Sequence, residues 1–552
     1  MQKKQLTLVI VSLLVVVLSV SLAYFTVQII GKGKNVTINS ADLKIIFTDN
    51  DESISGTNIE PGKWNVIKTF TIENKSNETY KYNIVIQDLV NTFVTNGYLQ
   101  YKITSTNGGY NMTEFKDVPK SSVATDTILA YSVSIPVGVT QSYTVEFKYA
   151  NDESVDQSDD MGKTLTGKLF ITEGTEDIYA GYEEGTLGYQ IMGDNPTRNT
   201  RNTYDSVFTN NTTGTLFTAT EKNVHNTTDT TVYYYAGNTT NNWVKFGIFA
   251  SDGPIRGYDS ANSTSFKEYT TLEECNSASS YNTNCSYAWK KGDPMYWRII
   301  RTNADGSVRL LYSGTSYDIT EGYIGKSKFT KTIKDPMYVG YKYGTSGTLE
   351  SNRTNENDST IKTYIDTWYQ NNLIVYTKYL SSNAVYCNDR ELKSGEKYST
   401  TAFFYASYER IRTNKQPTYN CTNIRDAFSI NNTEAKLTYP IALMTADEVS
   451  YAGGQVSTKL TAPYAWYYTN ANGESITGSN LTWSLTPYYL GMVGVNVWGV
   501  HGSGTPGSLE QALVGNLAVV RPVLSLKSCV KYSSGDGTAG NPYTIKETTS
   551  GC

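Results

Sequence analysis

Histidine is almost missing from this chain: 552 residues contain two, His225 and His501. Imidazole catalysis and histidine-based metal sites therefore have little to build on, and no HExxH occurs. The six cysteines form no CxxC pair, so a zinc site has no support either. Beyond the N-terminus there is no long basic run, and the net charge is −5, which argues against nucleic acid as a partner. Nothing in the chain calls for a cofactor. Apolar residues reach 39% only with 45 tyrosines counted among them. Exchanging the tyrosines for the 44 glycines leaves much the same share, below the roughly 45–50% of globular chains counted that way. Thr, Ser, Asn and Tyr fill the gap, a mixture suited to exposed β-structure with polar loops.

The length argues for several domains rather than one core. Residues 1–34 are set apart as a membrane-spanning or signal helix. Met1-Gln2-Lys3-Lys4 precedes an uncharged stretch, Leu6 to Ile30, long enough to span a bilayer. The lysines favour an inside N-terminus, with the remainder sent out. Ser21-Leu22-Ala23 offers a weak small-x-small cleavage site, so a retained anchor and a cleaved signal both stay open. Cys275, Cys285, Cys387, Cys421, Cys529 and Cys552 are even in number and widely spaced. Behind such an N-terminus they read as disulfides in an oxidising compartment, at the cell surface or outside it. Pairing of sequence neighbours is the simplest of the fifteen connectivities, among which sequence does not choose.

Residues 35–174 alternate apolar and polar positions in strand after strand. Leu43, Ile45 and Phe47 begin the series; Trp64, Val66, Phe70 and Ile72 continue it, as do Tyr80, Tyr82, Ile84 and Ile86. Tyr143, Val145, Phe147 and Tyr149 follow later. This period of two predicts an antiparallel two-sheet β-sandwich. Residues 175–196 read as a polar connector, with a helix around Glu183 to Met192 that Gly185 and Gly188 weaken, and 197–552 as a second, α+β unit with long loops. In it, apolar runs on either side of Asn303-Ala304-Asp305-Gly306 predict a hairpin. Ile361, Tyr364, Ile365 and Trp368 predict a helix from Ser359 to about Leu373, capped by Asp358 or Ser359. The fold class expected is mainly β.

A glycine-rich insert lies between the strand at Trp483 and the apolar run ending at Leu526. It carries Tyr488, Tyr489, Met492, Asn496, Trp498 and His501 but a single charge, Glu510. Aromatics on a glycine-rich loop held by strands describe a recognition surface better than a reaction centre. Those six residues are the expected ligand contacts, and at least Tyr488, Tyr489, Trp498 and His501 should be partly exposed; the alternative is an ordinary long loop that packs its own aromatics inward. Asp49-Asn50-Asp51-Glu52 lacks EF-hand spacing and reads as a solvated turn, and Asp447-Glu448 complements a helix dipole. No catalytic or metal-binding residues are assigned.

Two family resemblances bear on these readings. Ala23-Tyr24-Phe25-Thr26, Asn58-Ile59-Glu60-Pro61-Gly62 and Lys68-Thr69-Phe70-Thr71-Ile72-Glu73-Asn74 resemble the TasA/camelysin family. That resemblance implies an exported bacterial β-sandwich, some relatives of which polymerise into extracellular fibres. Protease activity attributed to camelysins does not carry over, since no histidine precedes His225. The order of the Tyr296-Trp297-Arg298 hairpin, the Trp368 helix, Trp483-Ser484-Leu485-Thr486-Pro487 and Arg521-Pro522-Val523 is similar to C-type-lectin-like domains of bacterial surface proteins. These share a fold with formylglycine-generating enzymes, whose reactive cysteine pair is not matched by Cys529 and Cys552. The resemblances imply a cell-surface adhesin that binds an extracellular protein or glycan ligand and is not an enzyme. It would be held to the membrane through Leu6–Ile30 if that segment is uncleaved. The alternative is a fibre subunit self-associating through the sandwich.

Overall fold

The computed structural model describes residues 26–29, 36–40, 43–49, 54–56, 60–95, 97–175, 177–261, 265–458, 460, 466–502 and 506–552. Most of the expected membrane segment, its cleavage site and Asn50–Glu52 lie outside the described residues. Thr26–Ile29, the end of that apolar stretch, is a strand rather than helix. Among the described residues no helix is long and apolar enough to cross a membrane. The chain divides into two compact units, residues 1–177 and 178–552.

The first unit is built from two sheets. One runs in the order Ile54–Gly56, Thr26–Ile29, Thr164–Glu173, Tyr80–Asn91, Ser121–Ile135. The other runs Val36–Ser40, Leu43–Asp49, Trp64–Asn74, Thr140–Tyr149, Leu99–Ser105, Lys116–Asp117. All pairings are antiparallel except that of Thr26–Ile29 with Thr164–Gly167. Alternation does what the sequence indicates: Phe70, Ile72, Tyr143, Val145 and Phe147 from one sheet meet Ile84, Ile86, Leu169 and Ile171 from the other in one core. Several polar groups within it are paired. Tyr82 donates to Gln141 Oε1 at 2.6 Å. Asp160 accepts from the Tyr149 hydroxyl at 2.9 Å and from the amides of Val94 and Thr95 at 2.6 and 3.1 Å.

The expected connector 175–196 is corrected. Its second half belongs to the second unit, where Leu187–Asp194 forms a helix capped by Thr186. Leu187, Ile191 and Met192 are buried in that unit's core, and the Leu187 amide donates to Val530 O at 2.8 Å. Gly188, which reads as a helix breaker, instead allows close packing: a Cβ there would lie 2.1 Å from Tyr182 Cδ1. Only the few residues around 174–178 remain as a link.

In the second unit the main sheet gathers Thr215–Glu221, Thr230–Tyr234, Pro294–Thr302, Trp243–Ile248, Tyr543–Ile545 and Tyr532–Ser534, with Val308–Tyr312, Pro522–Leu526 and Ile441–Leu443 joined to it. The expected hairpin 294–312 forms, with Gly306 N donating to Asn303 O at 2.9 Å. The helix spans Thr360–Asn372 and is capped by Ser359, whose side chain accepts from the Lys362 amide. Three disulfides join sequence neighbours: Cys275–Cys285, Cys387–Cys421 and Cys529–Cys552, with Cα atoms 6.0, 5.8 and 5.0 Å apart. They suit an oxidising compartment. Asp447 and Glu448 begin a short helix, but their partners are arginines: Asp447 pairs with Arg410 at 2.8 Å, and Glu448 with Arg301 and Arg309 at 3.1 and 3.2 Å.

Candidate functional site

The aromatic insert is not a loop. Thr482–Leu490 and Val495–Val500 form a hairpin inside a second sheet, and Leu509–Leu513 extends it. Trp498 is fully buried, donating its indole N–H to Ser407 Oγ at 3.0 Å. Tyr488 is buried with its ring 4.2 Å from that indole. Asn496 is buried too, and its side-chain amide donates to Gly494 O at 3.0 Å. Tyr489 and His501 are half-buried, Tyr489 stacked on Phe404. Only Met492, at the hairpin tip, is fully open. The expected exposed surface is thus corrected to a packed sheet. Both faces of Val495–Val500 are covered, so aromatics there fill a core. Gly499 serves close approach rather than mobility, since a Cβ would lie 2.9 Å from Leu481 Cδ2.

An open concave surface lies elsewhere in this unit, in a groove of about 620 Å³ beside the helix 360–372. That volume is in the usual range for ligand sites. One wall is the helix itself. Thr360, Thr363, Tyr364, Thr367, Trp368, Asn371 and Asn372 line it, at the i, i+3, i+4, i+7 spacing that places residues along one face. Thr363, Thr367 and Asn371 are exposed. Thr363 Oγ1 donates back to Ser359 O at 3.1 Å, and Thr367 Oγ1 to Thr363 O at 2.8 Å. Their protons are thereby engaged, and the oxygens keep lone pairs for an incoming donor.

The opposite wall is Ser251–Pro254 with Trp289. The two segments are fastened by Gly253 N to Trp289 O and Ala288 N to Pro254 O, both 2.9 Å. Gly253 lies against the indole: a Cβ would come within 2.6 Å of Trp289 Cδ2. Phe249 stacks on Trp289 with centroids 4.6 Å apart and meets Trp368 edge-on at 6.3 Å, so the two tryptophans are set by one shared ring. The indole N–H groups of Trp289 and Trp368 and Oδ1 of Asn372 are shielded from solvent and have no hydrogen-bond partner within the protein. Such atoms are uncommon and destabilising in a folded chain, and these three lie along one groove.

Charge in the groove is low. Asp358 is bridged by Lys342 and Lys362 at 2.9 and 3.1 Å. Burial alone would push its carboxyl up, but the hydrogen bonds and charges of the two lysines win and hold it below the usual range. Asp252 and Lys331 face the groove with opposite signs. Burial, with the Glu268 charge nearby, raises the Tyr364 hydroxyl well above its ordinary value, so it is a neutral phenol.

A hydroxyl–imidazole pair does occur: His225 Nε2 and Ser429 Oγ are 2.8 Å apart. Ser429 is buried and its Oγ also accepts the Asn432 amide at 3.1 Å, so the pair holds a turn together. Among the described residues no group of three or more His, Cys, Asp or Glu side chains is placed to hold a metal.

The apolar face of the helix is legible in the sequence, but the groove is not, because the helix's other face lines it. The signal was the opposite face. Exposed helix positions usually carry Lys or Glu, whereas threonine is a poorer helix former. A stripe of three threonines and an asparagine is costly unless it contacts something.

No family model matches the chain, and no curated protein matches it in sequence. Among solved structures, one titled "AvmM Catalyzes Macrocyclization in Alchivemycin A Biosynthesis" is similar over 26% of this chain and 97% of that one, at 9% identity and a TM-score of 0.15. A likeness at that level carries no argument about fold or activity.

Proposed function

We propose that the protein is an exported, surface-displayed binding protein in which the second unit holds a ligand and the sandwich carries it. Recognition is assigned to the groove beside helix 360–372 rather than to the hairpin 482–500. The observation that carries this reading is the groove's composition: two tryptophans, a tyrosine and neutral hydroxyl and amide groups, with Asp358 neutralised by two lysines. That is a surface for holding a molecule. Three disulfides support an extracellular place, whether anchored or secreted. The resemblances to TasA/camelysin sandwiches and to C-type-lectin-like domains point the same way.

The second reading, a fibre subunit, draws on one observation. Thr26–Ile29 is a four-residue strand added in parallel to Thr164–Gly167, short enough to be exchanged between copies. N-terminal analysis of the surface protein separates the two. A retained Leu6–Ile30 tethers a single chain, and a freed N-terminus permits exchange. Adhesion itself is tested by binding of the full-length protein to bacterial and host cell surfaces. Thr363→Lys together with Thr367→Lys should abolish it, and unaltered binding would remove the groove from the proposal.

A further inference from the structure

We infer that the groove's ligand is a neutral oligosaccharide lying along helix 360–372; this rests on the reading of the groove as a binding site. Three features select that class. The acceptors come first. Thr363 and Thr367 have donated their protons to the helix backbone, so each offers lone pairs to a partner rich in O–H donors. Asn371 adds a side-chain amide at the next turn, able to donate and accept at once. A polyol supplies donors at every ring position. An extended peptide would instead seek a sheet edge for its backbone, and a helix face offers none.

The aromatic surface is the second feature. Trp289, Tyr364 and Trp368 give apolar area beside these acceptors, matching a sugar ring with an apolar C–H face and a polar rim. Electrostatics is the third. Asp358 is neutralised by Lys342 and Lys362, and the lining's other charged residues, Asp252 and Lys331, are one of each sign. With one charge of each sign, the lining offers an ionic ligand no cluster of counter-charge to offset its lost hydration. The length of the stripe then distinguishes an oligomer from a single sugar. From Thr360 to Asn371 the helix rises about 16 Å, longer than one ring.

Titration calorimetry on the full-length protein tests this with soluble neutral hexose and N-acetylhexosamine oligomers, the corresponding monosaccharides and uronate-containing oligomers of equal length. Affinity should rise from monomer to short oligomer, and uronate oligomers should bind at least tenfold more weakly. Thr363→Lys and Thr367→Lys place a good helix former at exposed sites, so the fold should be kept while neutral-oligomer affinity falls at least tenfold. Gly253→Ala, which pushes on Trp289, should weaken binding as well. Equal binding of uronate oligomers, or unaltered binding by both lysine variants, would overturn the inference. Absence of any neutral-oligomer binding would also overturn it, and the cell-surface assay then says what survives. If the lysine variants still abolish cell binding, the groove takes a protein partner, for which exposed Ile374 and Val375 beyond the helix provide apolar area. If they do not, the groove reading fails with it.

Discussion

Trp498 sits in a fully buried strand with its indole N–H bonded to Ser407, so its truncation is a folding experiment. Trp498→Ala should cost about 3–5 kcal/mol of stability, while Met492→Ser, at a position 102% exposed, should leave the melting temperature within error. Thermal denaturation of both variants checks this. Asp160 is a second residue whose effect has a defined sign. Burial pushes its carboxyl up, but hydrogen bonds from Thr95, Val94 and Tyr149 outweigh it and hold the folded value below the ordinary one. A depressed folded value means that its stabilisation is present above the unfolded value, near 3.9, and lost as pH falls through the folded one. The sandwich should therefore lose stability below about pH 4. Asp160→Ala should remove that part of the pH dependence and cost about 1–3 kcal/mol at neutral pH, since it leaves buried donors unpaired. An unchanged acid limb in the variant would show that another carboxylate controls it.

At the scale of elements, limited proteolysis is informative. Cleavage should fall between Glu173 and Ile178 and spare Leu187–Asp194, because the helix is anchored by Leu187, Ile191 and Met192. Mass spectrometry of the first fragments reads this directly, and early cuts within 187–194 would contradict it. The sandwich strands were legible because half-buried antiparallel strands write a period of two into the sequence, as Trp64–Asn74 does. Helix 360–372 was legible from Ile361, Ile365 and Trp368 for the same kind of reason. The helix at 187–194 was only faintly legible. Two glycines weigh against it locally, and only the tertiary fit of Gly188 against Tyr182 makes it reasonable. The strand at Trp483 is expected, but its continuation through Tyr488 to Val500 reads as loop for a related reason. Buried on both faces, the strands at 482–500 lose the alternation that marks a half-exposed strand, and their glycines answer to neighbours distant in sequence. The groove is a still longer-range feature, since it joins Ser251–Pro254, Trp289 and helix 360–372.

For the whole molecule, the central claim is that binding resides in the groove and not in the aromatic hairpin. The most direct measurement is a paired one on the full-length protein: melting temperature and cell-surface binding for Thr363→Lys/Thr367→Lys and, separately, for Tyr489→Ala/Met492→Ser. The expected result is a near-native melting temperature with binding reduced at least tenfold, about 1.4 kcal/mol, in the threonine pair, and near-native binding in the hairpin pair. Full binding by the threonine pair, with binding lost in a stably folded hairpin pair, would contradict it and return recognition to residues 488–501.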